Sequence, residues 1–314
     1  MAGAGGLAVR AWTAPGISGA RVLAPALERW RQDNARRAWL ERLPAVVEAC
    51  AEAWDLQLGE PYNGGKVGLA LRVERADGSP AVLKVSPRAE NGHEATALAL
   101  WRGAGAVHLL ERDDERQALL VERCEPGGQL SEVADEDEAI TAAARVLTRI
   151  WRAPPRGHPF ALLEDEAARR EEELPAQWKA LGRPFERTLL DAAVAVYREL
   201  GRAQEETVVC HQDFHGGNVL RSSREPWLAI DPKPIVGERA FDTAWLLRDR
   251  RASVVADLHP RRRVRRRLDL VAGALGLDRE RIRRWGIARA LSWGLDAGSV
   301  DGSHIRCARL LLSA

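Results

Sequence analysis

Residues 208–231 contain two short apolar runs joined by a polar loop, and this pattern limits the possible folds more than any other stretch of the chain. The first run, Val208–Cys210, is typical of a short buried strand. The loop that follows it holds Asp213 and Asn218, five positions apart. The loop therefore carries its polar groups between elements that are expected to be buried.

The second apolar run, Trp227–Ile230, ends directly before Asp231, which lies thirteen positions after Asn218. Residues 221–226 are polar and include a proline, so they predict the turn of a hairpin that brings Asn218 and Asp231 close together. Phosphoryl transfer needs such a set of groups. One carboxylate, here that of Asp213, orients a hydroxyl and accepts its proton, while an amide oxygen and a second carboxylate hold Mg2+ against nucleotide phosphates.

A lone His-x-Asp, or one Asp at the end of a strand, is more often structural, but the full spacing between two strands is far more specific. Residues 211–218, His-Gln-Asp-Phe-His-Gly-Gly-Asn, resemble the catalytic loop of the aminoglycoside phosphotransferases, small-molecule relatives of the protein kinases. Residues 230–233, Ile-Asp-Pro-Lys, resemble the metal-binding segment of that family. Residues 225–248 resemble, more narrowly, the streptomycin 6-kinases and hydroxyurea phosphotransferases. Gln212 stands where the family usually has glycine, a change that affects the backbone and removes no catalytic group.

The resemblance implies an α+β, bilobal protein-kinase-like fold, in which a small antiparallel sheet of five strands precedes a larger, mainly helical lobe. We expect residues 1–53 to form a partly helical N-terminal extension, 54–124 the nucleotide-binding N-lobe, and 125–314 the C-lobe with the catalytic loop, metal site and acceptor pocket. The resemblance covers residues 54–250 and reaches the C-terminus only loosely. Pro44 is expected to break the helical pattern of the extension, which packs either on the small lobe or along the substrate cleft.

Lys84 lies in an otherwise apolar strand, residues 81–85, which is unusual for lysine. An outward-facing position on an alternating strand is the structural explanation. The resemblance implies instead that Lys84 grips the α- and β-phosphates of ATP while paired with Glu94, near the start of the next helix. Glu90 is the alternative partner, and Glu94 also suits the helix dipole without any catalytic role.

Four more positions are candidates for nucleotide binding. Gly64 and Gly65 stand where kinases fold a glycine loop over the phosphates, although a plain turn between strands explains them as well. Glu122 and Cys124 lie in the predicted hinge between the lobes. The resemblance implies that the Glu122 carbonyl and the Cys124 amide pair with the adenine edge.

Several charged or aromatic features of the helical part have both a functional and a structural explanation. Glu171–Glu173 would attract a cationic aminoglycoside, but a run of acids is more often a solvated helix face. Trp293 and Asp296 would meet a polar cationic acceptor, but core packing beside a surface acid is simpler. Arg261–Arg267 lacks interleaved aromatic residues and is interpreted as a solvated helix face, not a nucleic-acid site. The resemblance implies that Asp242 supports the backbone of the catalytic loop.

The charge balance and the cysteines indicate which partners and which cellular compartment to expect. The 47 Lys and Arg residues nearly balance 45 Asp and Glu, so net charge gives no case for binding nucleic acid or a membrane surface. We find no apolar window of the ~18 residues that a membrane helix needs, and no signal-peptide core in residues 1–19. The four cysteines are scattered among apolar neighbours, without metal-ligand spacing. We therefore predict a cytoplasmic protein with reduced thiols.

These patterns predict an enzyme that uses ATP and Mg2+ to phosphorylate a hydroxyl group of a small molecule. The family branch implies a streptomycin-like aminoglycoside or hydroxyurea as acceptor, and hence antibiotic resistance by inactivation. A kinase of a metabolic sugar or amino sugar is the alternative acceptor class, and a nucleotide-binding regulator without turnover is the alternative of another class. Lys233 and His215 are expected near the phosphates, unless His215 only holds the loop together.

Overall fold

The structure is a computed structural model that describes residues 27, 30, 33–63, 67–87, 93–249, 251–295 and 298–314, without the side chains of residues 35, 252 and 255. The chain divides into two compact units. One unit holds the described residues up to Ala95 together with Val107–Arg123, and the other holds Thr96–Ala106 and Cys124–Ala314.

The first unit is built on an antiparallel sheet of five strands, in the spatial order β1-β2-β3-β5-β4. The predicted five-stranded antiparallel sheet is therefore confirmed. Its strands are β1 Leu56–Pro61, β2 Leu69–Arg75, β3 Pro80–Val85, β4 Leu109–Asp113 and β5 Ala118–Glu122. Residues on β2 and β3 alternate between buried and more exposed positions, as expected of a sheet that covers a core with one face.

Helix α1, Asn34–Ala53, packs against this sheet. Its buried residues Leu40, Leu43, Val47 and Cys50 recur at helical spacing and join one core with residues of β2 and β3. This answers the question, open from sequence, of where the helical part of the N-terminal segment packs.

The expectation that Pro44 breaks the helix was wrong, because Pro44 lies inside α1. Proline removes one backbone hydrogen bond from a helix interior and crowds the preceding turn. The apolar face on both sides of Pro44 is buried against the sheet, and this burial outweighs the local cost.

The second unit is mainly helical. Its helices are α2 Glu94–Trp101, which begins in the first unit, then α3 Glu136–Ile150, α4 Leu163–Ala180, α5 Arg187–Leu200, α6 Arg239–Asp242, α7 Ala244–Arg248, α8 Arg251–Val255, α9 Pro260–Leu275, α10 Arg279–Gly294 and α11 Gly302–Leu312. Asp135 caps α3 by accepting hydrogen bonds from the amides of Asp137 and Glu138. Pro175 lies within α4, and Pro184 lies between α4 and α5.

Two small sheets interrupt these helices. One has the order β10-β9-β6, and the other has the order β7-β11-β8. Their strands are β6 Pro126–Gln129, β7 Ala161–Leu162, β8 Val208–Cys210, β9 Val219–Ser222, β10 Trp227–Ala229 and β11 Ile235–Gly237. No described helix is long and apolar enough to cross a membrane.

The packing of α1 on the sheet gives a stability prediction. Leu43 is 2% exposed, so Leu43→Ala leaves a cavity and should lower the free energy of unfolding by about 2–5 kcal/mol. Glu41 is exposed on the same helix, and Glu41→Ala should change this free energy by less than about 0.5 kcal/mol. Urea unfolding followed by tryptophan fluorescence measures both, and equal losses would contradict the role of the buried face.

Candidate active site

The loop between β8 and β9 and the hairpin after it assemble the predicted polar residues of the second unit. Strands β9 and β10 pair antiparallel with Val219 opposite Ala229, which confirms the predicted hairpin. The Ile230 amide then donates to the Asn218 carbonyl at 2.9 Å. Asn218 and Asp231 therefore lie on adjacent strand ends, next to the loop that carries Asp213.

Asp213 sits beside a cation. Its Oδ2 lies 3.2 Å from Lys233 Nζ, and the Lys233 amide donates to the His211 carbonyl at 3.0 Å. The Lys233 side chain is about half exposed while that of Asp213 is mostly covered. This carboxylate is thus positioned at the surface of the second unit with a positive charge at its edge.

Asn218 is almost fully buried, and its side-chain Nδ2 donates to the Asp213 carbonyl at 3.0 Å. This hydrogen bond holds the loop through Nδ2. The other polar atom of the amide, Oδ1, is suited to ligating a hard cation. Asp231 has a φ of 58°, in the left-handed region that non-glycine residues rarely adopt. Such strain persists where the surrounding structure imposes it and is frequent at functional sites.

The backbone that precedes Asp213 is held by a buried carboxylate. Asp242 Oδ2 accepts from the His211 amide and Asp242 Oδ1 from the Gln212 amide, each at 2.8 Å. The Trp151 indole donates a third hydrogen bond to Asp242 Oδ2 at 3.0 Å. Asp242 thus contacts the catalytic loop as the resemblance implies.

The carbonyl of Gln212 is held from the other side. It accepts from Trp245 Nε1 at 3.2 Å and from Arg289 Nη2 at 2.9 Å. Gln212 has a φ of 65°, the conformation in which the glycine usual in the family is free of strain. The two donors stabilise this backbone geometry in the absence of glycine.

His211 is buried and holds the loop against the hairpin. Its Nε2 lies 2.9 Å from the Ile230 carbonyl, which can only accept, so Nε2 carries the proton. Burial lowers the pKa of His211, and the ring is neutral. The ring stacks on Trp101 and meets Phe214 edge to face.

His215 and Asp249 fix the turn that leads to Asn218. His215 Nδ1 accepts from the Gly217 amide at 3.0 Å, and Asp249 Oδ2 accepts from the Gly216 amide at 3.0 Å. The His215 ring also packs against Trp245, with ring centroids 5.1 Å apart. The second expectation for His215, that it holds the loop together, matches these contacts.

In the first unit, Lys84 on β3 forms an ion pair with Glu94. Lys84 Nζ lies 2.5 Å from Glu94 Oε1, and both side chains are largely covered. Lys84 stands opposite Ala70 on β2 and Leu119 on β5, so the sheet fixes its direction from both neighbouring strands. Glu90, the alternative partner, lies outside the described residues, as do Gly64 and Gly65.

The two hinge candidates, Glu122 and Cys124, belong to different units. Glu122 ends β5, where its amide donates to the His108 carbonyl and its Oε2 accepts from the His108 amide, each at 2.9 Å. Cys124 is buried, and it is the first residue of Cys124–Ala314, the longer of the two segments that make up the second unit. Their proposed contacts are made by backbone groups, so side-chain identity carries little information about them.

The acidic and basic runs are engaged in ion pairs. Glu171 pairs with Arg198 at 2.6 Å, and Glu173 pairs with Arg169 at 2.6 Å. In the basic run, Arg263 and Arg267 both pair with Glu136 on α3, and Arg266 pairs with Asp137, as part of a helix contact. The Glu173 pair lies within α4, whereas Glu171 and the three arginines make contacts between helices.

Trp293 belongs to an aromatic and cationic cluster behind the catalytic loop. Its ring centroid lies 4.3 Å from that of Trp245, while Asp296 is outside the described residues. The guanidinium carbons of Arg248 and Arg289 lie 3.0 and 3.9 Å from the Trp293 centroid. Burial and, next, the charge of Arg289 hold the pKa of Arg248 well below its usual range.

His304 adjoins this cluster, with its Nδ1 3.2 Å from Arg248 Nη1. Because arginine only donates, Nδ1 is the acceptor, and His304 is neutral in this contact. Burial, followed by the charges of Arg248 and Arg251, lowers the pKa of His304 to about 3.

Comparison with known proteins identifies the family. Residues 54–298 match the family described as aminoglycoside/hydroxyurea antibiotic resistance kinase. The chain belongs to this family. It is 40% identical to a streptomycin 6-kinase of Streptomyces glaucescens over 88% of this chain and 91% of that protein. It is 38% identical to a hydroxyurea phosphotransferase of Kitasatospora aureofaciens over 85% of this chain and 77% of that protein.

Solved structures support the same fold. The aminoglycoside phosphotransferase APH(4)-Ia, as a thermostable mutant in complex with ADP and hygromycin B, has a TM-score of 0.58 at 16% identity, covering 85% of this chain and 98% of that one. The choline kinase LicA of Streptococcus pneumoniae has a TM-score of 0.56 at 15% identity, covering 86% and 99%. The protein-kinase-like α+β fold and the predicted family branch are therefore confirmed.

Membership in this kinase family makes the chain a phosphotransferase and disfavours a regulator without turnover. Sequence reasoning missed the roles of Trp245, Asp249 and Arg289, which hold the backbone of the catalytic loop from helices α7 and α10 and the residue after α7. Their distance along the chain from the loop gave no local signal. Among the residues outside the loop that hold its backbone, Asp242 was predicted, and that through the family resemblance.

The buried carboxylate of Asp242 gives a test of how the catalytic loop is held. Asp242→Asn keeps one accepting oxygen and loses the other, which leaves a buried amide unpaired and should cost about 1–3 kcal/mol of stability. Turnover should fall in the protein that remains folded, because the backbone before Asp213 is displaced. Trp151→Phe removes only the indole donor and should keep turnover within about threefold. Normal turnover in folded Asp242→Asn would show that the loop does not need this anchor.

His304 gives a prediction of pH dependence. Unfolded chains protonate histidine near pH ~6.5, whereas folded His304 resists protonation down to about 3. The free energy of unfolding should therefore fall as pH is lowered between these values, by about 1.4 kcal/mol per pH unit from this residue. His304→Gln should lack this contribution, and the exposed control His259→Gln should keep it. Urea unfolding at several pH values measures the slopes, and identical slopes for His304→Gln and the unaltered protein would refute the assignment.

Proposed function

We propose that this chain transfers the γ-phosphoryl group of ATP to a hydroxyl group of an antibiotic of the streptomycin or hydroxyurea class. The observation that carries the proposal is the arrangement around residue 213. Asp213 lies in a loop anchored by Asp242, and the β9–β10 hairpin brings Asn218 and Asp231 together beside it. The relatives named streptomycin 6-kinase and hydroxyurea phosphotransferase support the acceptor classes.

Asp213 is the group to which we assign the acceptor hydroxyl. Its carboxylate would orient the hydroxyl and accept the proton as the phosphoryl group transfers in line. The transition state is loose, so positioning contributes more to the rate than strong basicity. Lys233, 3.2 Å from this carboxylate, would hold a phosphoryl oxygen while keeping Asp213 in place.

Asn218 and Asp231 are the residues to which we assign Mg2+. The fit rests on their chemistry, because Asn218 Nδ2 is engaged by the Asp213 carbonyl and its Oδ1 is an oxygen donor, as are both oxygens of Asp231. When bound, the ion would neutralise charge that develops on the phosphates. Within the described ranges no group of three or more His, Cys, Asp and Glu side chains forms a metal site.

We assign the nucleotide to residues within 54–124. Lys84, oriented by Glu94, would bind the phosphates of ATP. The backbone amides of Gly64 and Gly65, which lie outside the described residues, are assigned to the same phosphates. The backbone at Glu122 and Cys124 would pair with adenine. We accordingly propose residues 54–124 as the nucleotide-binding part and 125–314 as the catalytic part. The APH(4)-Ia complex with ADP supports an adenine nucleotide.

We place the reaction in the cytoplasm. ATP is supplied there, and the four cysteines are buried, as is usual for thiols in proteins of reducing compartments. The relatives supply no support for a metabolic sugar or for nucleic acid as the acceptor.

The decisive test replaces the proposed base. Asp213→Asn preserves size but cannot accept the proton, so turnover should fall by about 100- to 10,000-fold while ATP binding persists. Product formation is followed by mass spectrometry with streptomycin and hydroxyurea as acceptors, and ATP binding by calorimetry. Asp191→Asn, on the exposed surface of α5, is the matched control and should leave turnover unchanged. Turnover in Asp213→Asn close to that of the control would remove Asp213 from the proposed role.

A further inference from the structure

The basic run Arg261–Arg267 has one buried member. Arg267 is 3% exposed, whereas most arginines of the run are exposed to solvent. An arginine is rarely buried unless its guanidinium group is paired. The solvated helix face that the sequence predicts therefore describes most of this run but does not explain Arg267.

Arg267 holds the backbone at the end of helix α7. Its Nη1 donates to the carbonyl of Leu247 at 3.1 Å and to the carbonyl of Asp249 at 2.5 Å. Its Nη2 forms an ion pair with Glu136 in the first turn of α3. A guanidinium group is planar and presents its donors in a fixed fork. These contacts therefore fix the position of Asp249 relative to both α3 and α9.

The carboxylate of Asp249 holds the start of the turn that carries Asn218. Its Oδ2 accepts from the Gly216 amide at 3.0 Å, and Gly216–Asn218 form one turn of 3-10 helix. The Asn218 amide closes this turn by donating to the His215 carbonyl at 2.8 Å. Because the turn is short and tightly bonded, a displacement at Gly216 is passed on to Asn218.

Gly216 leaves this turn little room to move. A Cβ at that position would lie 2.6 Å from Asp249 Oδ2 and 2.8 Å from the Ser131 amide nitrogen, so only glycine fits there. The turn is therefore enclosed between the backbone of Ser131 and the carboxylate of Asp249. Arg267 sets the position of the second of these two walls.

The space between these residues is too small for a ligand. Glu136, Gly216, Asp249 and Arg267 line one cleft of about 20 Å³, enough for about one water molecule. The buried arginine is thus explained by the contacts that it makes with the protein, not by an acidic ligand that it would bind.

We propose that Arg267 is a positioning residue for the assigned metal ligand Asn218, and that it acts through Asp249 and the Gly216 amide. The inference rests on the proposed function, because it assumes that Asn218 Oδ1 binds Mg2+. Replacing a residue that orients a metal ligand typically changes metal affinity by about 10- to 100-fold. The contact between α3 and α9 therefore bears on Mg2+ binding although both helices lie outside the catalytic loop.

The test measures what Mg2+ adds to nucleotide binding. Calorimetry gives the affinity for a non-hydrolysable ATP analogue with saturating Mg2+ and again with a chelator, and the ratio of these affinities is the contribution of Mg2+. Arg267→Met should lower this ratio by about tenfold, because the ligand is displaced, while the affinity with chelator stays the same. Asn218→Ala shows the loss expected when the assigned ligand itself is removed.

Three further variants separate this role from general packing. Arg266→Met removes an exposed arginine of the same helix, whose ion pair is with Asp137 on α3, and should leave the ratio unchanged. Asp249→Ala removes the acceptor of the Gly216 amide and should lower the ratio as Arg267→Met does. Because Asp249 is only partly buried, this variant tests the same contact if Arg267→Met does not fold in thermal unfolding. Asp249→Asn retains an oxygen that accepts from this amide and should keep the ratio of the unaltered protein.

The outcomes distinguish this inference from the function on which it rests. An unchanged ratio in folded Arg267→Met and Asp249→Ala, with a lowered ratio in Asn218→Ala, would overturn the positioning role and leave the metal assignment intact. Equal losses in Arg266→Met and Arg267→Met would show an effect of helix packing and would also overturn it. An unchanged ratio in Asn218→Ala would count against the assignment of Mg2+ to that residue, and against this inference with it.

Discussion

The carboxylate of Asp242 accepts hydrogen bonds from two consecutive backbone amides, and the geometry of the catalytic loop depends on this contact. A buried carboxylate is stable only where donors surround it, and the Trp151 indole completes the set. On the opposite side, Trp245 and Arg289 bind the carbonyl of Gln212. The residue before Asp213 is therefore held through both its amide and its carbonyl, and Gln212 keeps a left-handed φ that costs a non-glycine residue on the order of 1 kcal/mol.

The parts of the site that are local in sequence were predictable. A strand, a loop and a hairpin within 24 residues follow from apolar runs and a proline-containing turn, and the register of Val219 with Ala229 then places Asn218 beside Asp231. The Lys84–Glu94 pair is similarly close along the chain, ten positions apart. The hairpin follows from the spacing of the apolar runs, whereas the choice of Glu94 over Glu90 as the partner of Lys84 came from the family resemblance.

The supporting contacts were not predictable because they join distant segments. Arg289 reaches a loop 77 positions away, and Asp249 reaches Gly216 across 33 positions. Neither residue lies in a motif, and an arginine in a helix is ordinarily assigned to solvent. The prediction that Pro44 breaks the helix failed for a related reason. Local propensity argues against a helix at Pro44, but the burial of one face of α1 on the sheet, which the local pattern does not reveal, maintains the helix.

The cation beside the loop bears on the proposed reaction. Phosphoryl transfer places negative charge on the oxygens of the transferring group. On the proposed function, Lys233, 3.2 Å from Asp213, would offset that charge. The same lysine pairs with the carboxylate to which the acceptor hydroxyl is assigned, so one contact would act on both reactants. Because Asp213 follows directly on the backbone that Asp242 holds, the position of this ion pair depends on the buried carboxylate.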